Sequence, residues 1–397
     1  MAGADWREVG KFIKKLKIPS EFWGIDLETL SEYQYNGYLS IRETAGKTTQ
    51  GLILGLALNK LFPEQYSIEY IRNDTAQITR ANIEDLFNTV IRFGYIQKIY
   101  GERWNSIEYH TQQRKFFLCT RDEDGNIMEE DCLPICIVHS LEKAQEFKSG
   151  YNNPRGNYIL FDEFMDTARA TYTIFPEFLN AVSTIGRPNS RHEWLRVIMM
   201  GNNTDPYSFW FDEFGISEEI PYLKFGGAIT FRTEYNTTGV FKLLEPGEVQ
   251  KKRLASKNIP FLGFSGKKAA AFTGVTEWSG KTYRHPEFIL DYTEYCIHRR
   301  CYIRHRGRYI QLDLFKDTEH GVYTFLHFAA PPKYDDNLIL TIEPDKASDI
   351  YGFGKYEKRD KIRSLLLKYI GCYQENRFYY ASNMVGSLTE DFIKNIS

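Results

Sequence analysis

The sequence predicts an α/β fold with a mainly parallel sheet, followed by a smaller α+β domain. Over the first 240 residues, apolar strand-like runs alternate with helix-like segments, which is typical of strands joined by helical crossovers. Two polar motifs follow such runs, and a sheet of this kind carries its chemistry where the strands end. Strands are predicted at 38–41, 66–72, 133–138, 158–163 and 195–200, and helices at 48–61, 83–93 and 141–147.

Other local patterns complete the first domain, which we place at 1–243, with 1–34 as an N-terminal extension. Apolar residues recur at helical spacing before Pro19 and predict an amphipathic helix there. Residues 106–110 and 115–120 predict two antiparallel strands, so the sheet is not expected to be parallel throughout.

The character of the chain changes after this domain. Residues 244–278 are first charged and then rich in Gly and Ser, which predicts a linker. Strand-like segments dominate the second domain, which we place at 279–397. Its strands are predicted at 288–297, 301–303 and 309–315, and a helical stripe covers 362–370.

Composition limits the classes of function. The formal charge is −2, from 50 basic and 52 acidic residues, whereas a protein that clamps DNA over its whole surface is usually basic. Contact with nucleic acid must then be local or shared among subunits. No apolar run reaches the ~18–20 residues of a membrane span. The six cysteines are scattered, which favours a reducing, intracellular setting and buried thiols over disulfides or zinc.

Gly46 and Lys47 follow the first predicted strand and directly precede the helix predicted at 48–61, which begins with Thr48. The N-terminus of a helix offers backbone N–H groups to phosphate, a Lys neutralises its charge, and a Thr hydroxyl suits Mg²⁺. Thr49 continues this set. The motif predicts a phosphate-binding loop, although Ile41 stands where such a loop usually has its first Gly.

Asp162 and Glu163 end a buried strand far along the chain. A carboxylate at the end of a rigid strand suits Mg²⁺, and a second beside it can orient or deprotonate water. Solvated acids at a strand end are the alternative interpretation. The order of loop, intervening elements and acidic strand favours a P-loop NTPase of the ASCE type, with ATP and Mg²⁺ as cofactors.

Two further segments could complete such a site. The strand at 195–200 is followed by Asn202 and Asn203, either of which could sense a terminal phosphate. The loop between the acidic strand and this one carries Arg187 and Arg191, and an exposed Arg can stabilise transition-state charge in a neighbouring subunit. Arg187 is the first choice and Arg191 the second.

These segments resemble the DNA-packaging motor ATPases of tailed phages, most of all the encapsidation ATPase of small short-tailed phages, a relative of large terminases. The segments that carry the resemblance are 41–49, 66–72, 157–164, 185–187 and 196–203. The resemblance implies that Lys47 binds phosphate, that Thr48 and Asp162 hold Mg²⁺, that Glu163 activates water and that Arg187 acts in trans.

The resemblance also implies partners and a place of action. A homo-oligomeric ring, a pentamer in this family, would dock on the capsid portal and drive double-stranded DNA into a preformed shell. In the closest relatives a packaging RNA lies between ring and capsid. The expected location is the host cytoplasm, with transient docking on the procapsid and no membrane contact.

This sequence departs from the family's pattern at two places. The family's loop often has an Arg four residues before its Lys; Glu43 stands there, and Arg42, one residue earlier, is the substitute phosphate ligand. A basic residue is also common shortly after the second strand, where this chain has Asn73, Asp74 and Thr75.

For the second domain the resemblance implies a degenerate RNase H-like nuclease fold. Asp291 and Asp313 lie on predicted strands but make a poor metal cluster, so we predict a non-cleaving domain. Residues 298–308 hold five Arg and two His, which suits phosphate contact. The predicted nucleic-acid-binding residues are Arg299, Arg300, Arg304 and Arg306 here, with Lys148 and Arg155 in the first domain.

Two other functions remain open at this point. One keeps the fold but gives a nuclease-active large-terminase-like enzyme or a helicase-like DNA translocase. The other is a non-catalytic portal- or capsid-binding protein whose phosphate loop has decayed, which the missing first Gly suggests.

Overall fold

The computed structural model divides the chain into two compact units, Met1–Pro206 with Trp210–Gly280, and Tyr207–Phe209 with Lys281–Ser397. The predicted domain boundaries at 243 and 279 stay predictions. The structure describes the following residues: 4–18, 24–41, 46–144, 151–165, 171–187, 194–246, 283, 285, 297–317, 321–332, 338–341 and 359–396.

The first unit is built on a ten-stranded sheet in the order β3-β4-β6-β2-β7-β8-β1-β10-β9, with β5 paired to β4. The strands β6, β2, β7, β8, β1 and β10 are neighbours in this order, and all of these pairs are parallel. In contrast, β3, β4, β5 and β9 are antiparallel to their partners. The strands are β1 Tyr35–Ser40, β2 Ile68–Arg72, β3 Ser106–His110, β4 Lys115–Arg121, β5 Ile127–Glu130, β6 Cys136–Ser140, β7 Tyr158–Asp162, β8 Arg196–Asn202, β9 Ala228–Arg232 and β10 Thr238–Leu243.

Helices join the parallel strands and cover the sheet. Short 3₁₀ turns lie at Thr75–Ile78, Asp85–Phe87, Leu141–Lys143 and Ile220–Tyr222. The α-helices of this unit are α1 Trp6–Lys15, α2 Leu27–Glu32, α3 Lys47–Leu61, α4 Arg80–Glu84, α5 Asn88–Arg92, α6 Tyr95–Tyr100, α7 Thr171–Gly186 and α8 Phe209–Glu213.

Helix α3 lies at the centre of the unit, and all its residues from 50 to 59 are buried. Two glycines allow this close packing. A Cβ at Gly51 would come within 2.7 Å of Leu160 Cδ1, and one at Gly55 within 2.5 Å of Ile68 Cγ1. Since these glycines carry no side chains, Leu160 of β7 and Ile68 of β2 pack directly on the helix backbone, which holds α3 close to the sheet.

The second unit has a five-stranded sheet in the order β14-β11-β12-β13-β15. Two helices pack their apolar residues, including Tyr369 and Phe392, against Ile303, Leu312 and Leu326 of this sheet. The elements are β11 Ile297–His305, β12 Arg308–Asp317, β13 Gly321–Ala329, β14 Leu338–Thr341, α9 Arg359–Gln374, β15 Phe378–Tyr380 and α10 Asn383–Ile396.

The prediction of a mainly parallel α/β sheet is confirmed, and so is the antiparallel pair β3–β4. The single helix predicted at 83–93 is wrong, because the chain tightens into a 3₁₀ turn at Asp85–Phe87 between α4 and α5. The helix predicted at 141–147 is a 3₁₀ turn at Leu141–Lys143, and 145–147 lie outside the described residues, as do 288–296. Within the described part of the chain, no helix is long and apolar enough to cross a membrane.

Candidate nucleotide site

Four neighbouring parallel strands, β2, β7, β8 and β1, end at the same edge of the sheet. One strand, β8, lies between β1, which precedes the glycine-lysine-threonine motif, and β7, which ends in the acidic pair. Residues 114 positions apart in sequence therefore meet, and Thr48 Oγ1 donates to Asp162 Oδ2 at 2.8 Å. The structure confirms the predicted convergence of the two motifs.

The N-terminus of α3 is exposed at this edge. Gly46 is its N-cap, in the left-handed conformation with φ 80°, and it supplies no side-chain hydrogen bond to the helix. The first backbone N–H groups of a helix have no partner within it, and the helix dipole favours negative charge there. The arrangement fits an anion such as phosphate.

Lys47 is the first residue of α3, and its side chain turns back over the strand ends. Lys47 Nζ donates to Ser40 Oγ at 2.6 Å and to Asn202 Oδ1 at 2.8 Å. Burial lowers the pKa of Lys47 to about 8, although the charges of Asp162 and Glu163 act in the opposite direction. The ammonium thus lies among neutral oxygen acceptors at the edge where β1 and β8 end.

Asp162 is buried, with 2% of its side chain exposed, and its Oδ2 accepts from several donors. Besides Thr48, Tyr70 OH donates to it at 2.9 Å, and Arg72 Nη2 lies 3.2 Å away. Burial, then the charge of Asp162, raises the pKa of Tyr70 well above its ordinary value, so the phenol stays protonated. Since Thr48 Oγ1 and Asp162 are hard oxygen ligands in contact, the pair suits Mg²⁺.

Glu163 follows directly and takes a different environment, with 43% of its side chain exposed. Its backbone has φ 54°, a left-handed conformation that is uncommon for residues other than Gly. Asn73 Nδ2 donates to the carbonyls of Glu163 and Phe164, each at 3.2 Å, and so stabilises this turn. The turn directs the second carboxylate away from the buried strand, toward solvent.

Arg72, the last residue of β2, joins the two carboxylates. It is ion-paired with both Asp162 and Glu163, and its Nε donates to Tyr70 OH at 2.7 Å. Burial alone would lower the pKa of Arg72, but the neighbouring negative charges, Asp162 first, raise it, so the guanidinium stays a cation. One positive charge therefore offsets part of the negative charge of the acidic pair in this structure.

Sequence reasoning did not assign Arg72 or Tyr70 to the site. The family's pattern has a basic residue shortly after the second strand, whereas Arg72 is the last residue of that strand. The available signal was the alternation of a strand: Tyr70 and Arg72 point to the same face. With β2 beside β7, that face brings them to Asp162.

We expect Arg72→Ala to lower the free energy of unfolding by about 2–4 kcal/mol, because a buried carboxylate loses its cation. Millimolar MgCl₂ should recover part of the loss, since a divalent cation can neutralise the same oxygens. Thermal unfolding with and without Mg²⁺ measures both effects. Arg92→Ala, an exposed arginine on α5, is the control. An Arg72→Ala midpoint equal to that of the wild type would contradict this account.

The remaining predicted site residues are distributed as follows. Arg187 directly follows α7 and is exposed. Arg42, Lys148 and Arg191 lie outside the described residues, as does the side chain of Arg299. The roles predicted for these five residues stay predictions.

The other predicted nucleic-acid-binding residues make contacts within their own units. Arg155 Nη2 donates to the carbonyl of Pro134 at 2.8 Å. The remaining three contacts are in the second unit: Arg300 Nε donates to Asp313 at 2.7 Å, Arg306 Nε donates to Asp391 at 2.9 Å, and the Arg304 guanidinium lies 5.9 Å from the Tyr309 ring centre.

The fold is shared with solved phage packaging motors. The chain is similar to the DNA packaging motor protein gp11 of Phi-28, with a TM-score of 0.54, 17% identity and coverage of 95% of this chain and 98% of that one. It is also similar to a chain of the bacteriophage Phi-29 viral genome packaging motor assembly, with a TM-score of 0.53, 14% identity and coverage of 95% and 100%.

At these identities the likeness establishes the fold alone. No protein-family model matches the chain, and no curated protein sequence matches it. The chain has the fold of phage DNA-packaging motor proteins, which confirms at this level the resemblance inferred from sequence.

Proposed function

We propose that this chain is an ATPase subunit of a motor that drives double-stranded DNA into a preformed phage capsid. The observation that carries the proposal is the contact between Thr48, at the N-terminus of α3, and Asp162, at the end of β7. A phosphate-binding helix end, a lysine and two carboxylates come together at one sheet edge. The fold shared with packaging motors connects this site to DNA movement.

The geometry of these residues supports the binding of Mg-ATP. The helix N-terminus and Lys47 would hold phosphate oxygens, and Thr48 with Asp162 would hold Mg²⁺. Asn202 accepts a hydrogen bond from Lys47, and it would lose this bond if the Lys47 ammonium bound a phosphate oxygen instead. Bound there, Mg²⁺ would neutralise charge on the phosphate oxygens.

Glu163 is the candidate general base. It is solvent-accessible, whereas Asp162 is buried, and this difference separates a water-activating carboxylate from a metal-binding one. The Glu163 carboxylate is occupied by Arg72 in this structure, so it would have to leave that guanidinium to bind a water molecule. Hydrogen bonds from Tyr70 and Thr48 would keep Asp162 oriented while Glu163 moves.

Arg187 is proposed to act in trans, and the topology supports this. Helix α7 connects the end of β7 to the start of the parallel strand β8, so it runs back to the opposite edge of the sheet. Its 16 residues span about 24 Å at 1.5 Å per residue. Arg187 follows the far end of this helix, which supports a role at the site of another subunit rather than at its own.

Mixing Glu163→Gln and Arg187→Ala subunits tests the shared site. Each variant alone should hydrolyse ATP poorly, but in mixed rings some sites combine an intact Glu163 with an intact Arg187 from the neighbour. Random equal mixing restores about a quarter of such head-to-tail interfaces. We expect hydrolysis to rise to a similar fraction of the wild-type rate.

Arg92→Ala, the matched control, should hydrolyse ATP at the wild-type rate on its own. A mixture of the two inactive variants no faster than either one would rule out the contribution of Arg187 in trans.

The larger assembly is part of the same proposal. A ring of identical subunits, a pentamer by resemblance, would dock on the capsid portal, either directly or through a packaging RNA. It would act in the host cytoplasm during packaging. The near-zero net charge of −2 fits DNA contact that is divided among subunits.

For the second unit we propose a degenerate, non-cleaving RNase H-like domain. Asp313 is buried, and its carboxylate accepts from Arg300 at 2.7 Å and from Gln311 at 2.8 Å, with His327 Nε2 at 3.2 Å. Among the described residues no group of three His, Cys, Asp or Glu could hold a metal ion. Cationic and neutral donors thus take the oxygens that a nuclease would use for metal, which argues against the nuclease-active alternative.

The decayed-loop alternative fits the site less well. The lysine, the hydroxyl and both carboxylates are all in place and hydrogen-bonded to one another or to neighbouring polar groups. A loop that had lost its function would have no reason to keep a partly buried ammonium beside them.

A further inference from the structure

A polar cavity of about 360 Å³ opens beside β6. The turn between β3 and β4, the end of β6 and residues 151–153 form its walls. Its lining residues are Gln113, Arg114, Lys115, Ile137, Val138, His139, Ser140, Lys143, Tyr151, Asn152 and Asn153. The cavity reaches from Ser140, at the end of β6, to Asn153, which hydrogen-bonds to Ser67 just before β2 begins. At its Ser140 end it adjoins the candidate nucleotide site, because Ser140 is paired with Arg72 of β2.

The lining is cationic. Among the described residues that line it are Arg114, Lys115 and Lys143 and no carboxylate, in a chain with slightly more acidic than basic residues. Within the part of the chain that the structure describes, neither Arg114 nor Lys115 has a salt-bridge partner. Cations gathered around a concave surface attract an anion.

The floor of the cavity is a buried, hydrogen-bonded network. Glu69 is fully buried; its Oε2 lies 2.6 Å from His139 Nε2, and its Oε1 accepts from Asn153 Nδ2 at 2.5 Å. Asn153 also donates to Ser67 Oγ at 2.9 Å. A Cβ at position 156 would lie 2.7 Å from Glu69 Oε1, so Gly156 makes room for this carboxylate. Both oxygens of Glu69 are thus engaged beneath the cavity, and the carboxylate itself does not line it.

Arg114 has a left-handed backbone with φ 54°, at the last position of the β3–β4 turn. Gly or Asn would occupy this conformation with less strain. An arginine in this conformation is uncommon, which is consistent with a role for its side chain.

We propose that this cavity binds phosphate groups of the DNA backbone. The inference deepens the proposed function and rests on it, since it assigns a DNA contact to the ATPase unit. The lining suits phosphodiesters better than a protein partner, because its apolar members, Ile137 and Val138, are buried and offer no exposed anchor. The pairing of Ser140, at one end of the cavity, with Arg72 would allow the state of the nucleotide site to influence the grip on DNA.

The test measures binding of a short labelled duplex to the full chain by fluorescence anisotropy over a range of salt concentrations. The logarithm of the DNA-binding constant falls linearly with the logarithm of the salt concentration, and each lost phosphate contact lowers the magnitude of that slope by about 0.9. We expect Arg114→Glu/Lys115→Glu to lower the slope by about 1.8 and to weaken binding about tenfold at physiological salt. Lys11→Glu/Lys14→Glu, on the exposed face of α1, makes the same charge change and should leave the slope intact.

Arg114→Gly guards against misfolding as an explanation, since Gly suits the left-handed turn; it should fold normally and lower the slope by about 0.9. An unchanged slope in the cavity variants, or an equal loss in the α1 control, would overturn the proposal. Inorganic phosphate that binds in the cavity but leaves DNA binding unchanged would overturn it as well. Basal ATP hydrolysis without DNA should be unaffected in the cavity variants, so failure of this inference is distinct from failure of the ATPase assignment.

Discussion

Glu163→Gln should bind Mg-ATP about as well as the wild type but hydrolyse it about 100-fold or more slowly. The amide keeps the shape of the carboxylate but is not a base. Asp162, Thr48 and Lys47, which hold the nucleotide in our proposal, are unchanged. Nucleotide titration by fluorescence, together with a steady-state phosphate-release assay, separates binding from turnover.

Loss of the Arg72–Glu163 ion pair is a side effect of this substitution that must be controlled. Thermal unfolding should show a small change, because the Glu163 side chain is 43% exposed and pairs of that kind contribute little. Glu64→Gln, an exposed glutamate outside the site, should behave as the wild type in both assays. Wild-type turnover by Glu163→Gln would remove Glu163 from the mechanism.

Lys47→Ala should lose both binding and hydrolysis, with kcat/KM falling about 100- to 1,000-fold. The ammonium stabilises phosphate charge in the bound state and more strongly in the transition state. The same change should not unfold the free protein, since it removes a partly buried charge rather than an apolar contact. Steady-state kinetics and circular dichroism measure the two outcomes.

Lys60→Ala is a matched control because it removes an exposed lysine from the last turn of the same helix. It should retain wild-type kcat/KM. If Lys47→Ala retained it as well, the N-terminus of α3 would not be the phosphate site.

The acidic strand and the phosphate loop could be predicted because each is a local pattern. An apolar run followed by Asp162 and Glu163 already indicates a buried strand with an acidic end, and the order of the motifs indicates their meeting. Arg72 could not be assigned in the same way. Its role depends on β2 lying beside β7 in a particular register, and pairing between strands 90 residues apart leaves no local signal.

The helix predicted at 83–93 shows a similar limit. Ile83, Phe87 and Val90 are buried at helical spacing, and this periodicity is kept although the chain tightens into a 3₁₀ turn between them. Periodicity alone cannot distinguish an unbroken helix from two short ones joined by such a turn. In the second unit, the strands Gly321–Ala329 and Phe378–Tyr380 were not anticipated, because their partners are set by sheet order rather than by neighbouring sequence.

The cavity beside β6 depends on the same kind of information. Arg114 ends a hairpin turn and Lys115 begins β4, whereas Lys143 follows β6, and the pairing of β4 with β6 brings them together. In the sequence they are ordinary charged residues of a protein with balanced charge.

A structure of the chain with Mg²⁺ and a non-hydrolysable ATP analogue tests the central claim most directly. We expect the triphosphate at the N-terminus of α3, with Lys47 Nζ bonded to a phosphate oxygen and the metal beside Thr48 and Asp162. An analogue bound elsewhere, with Lys47 still donating to Ser40 and Asn202, would contradict the account.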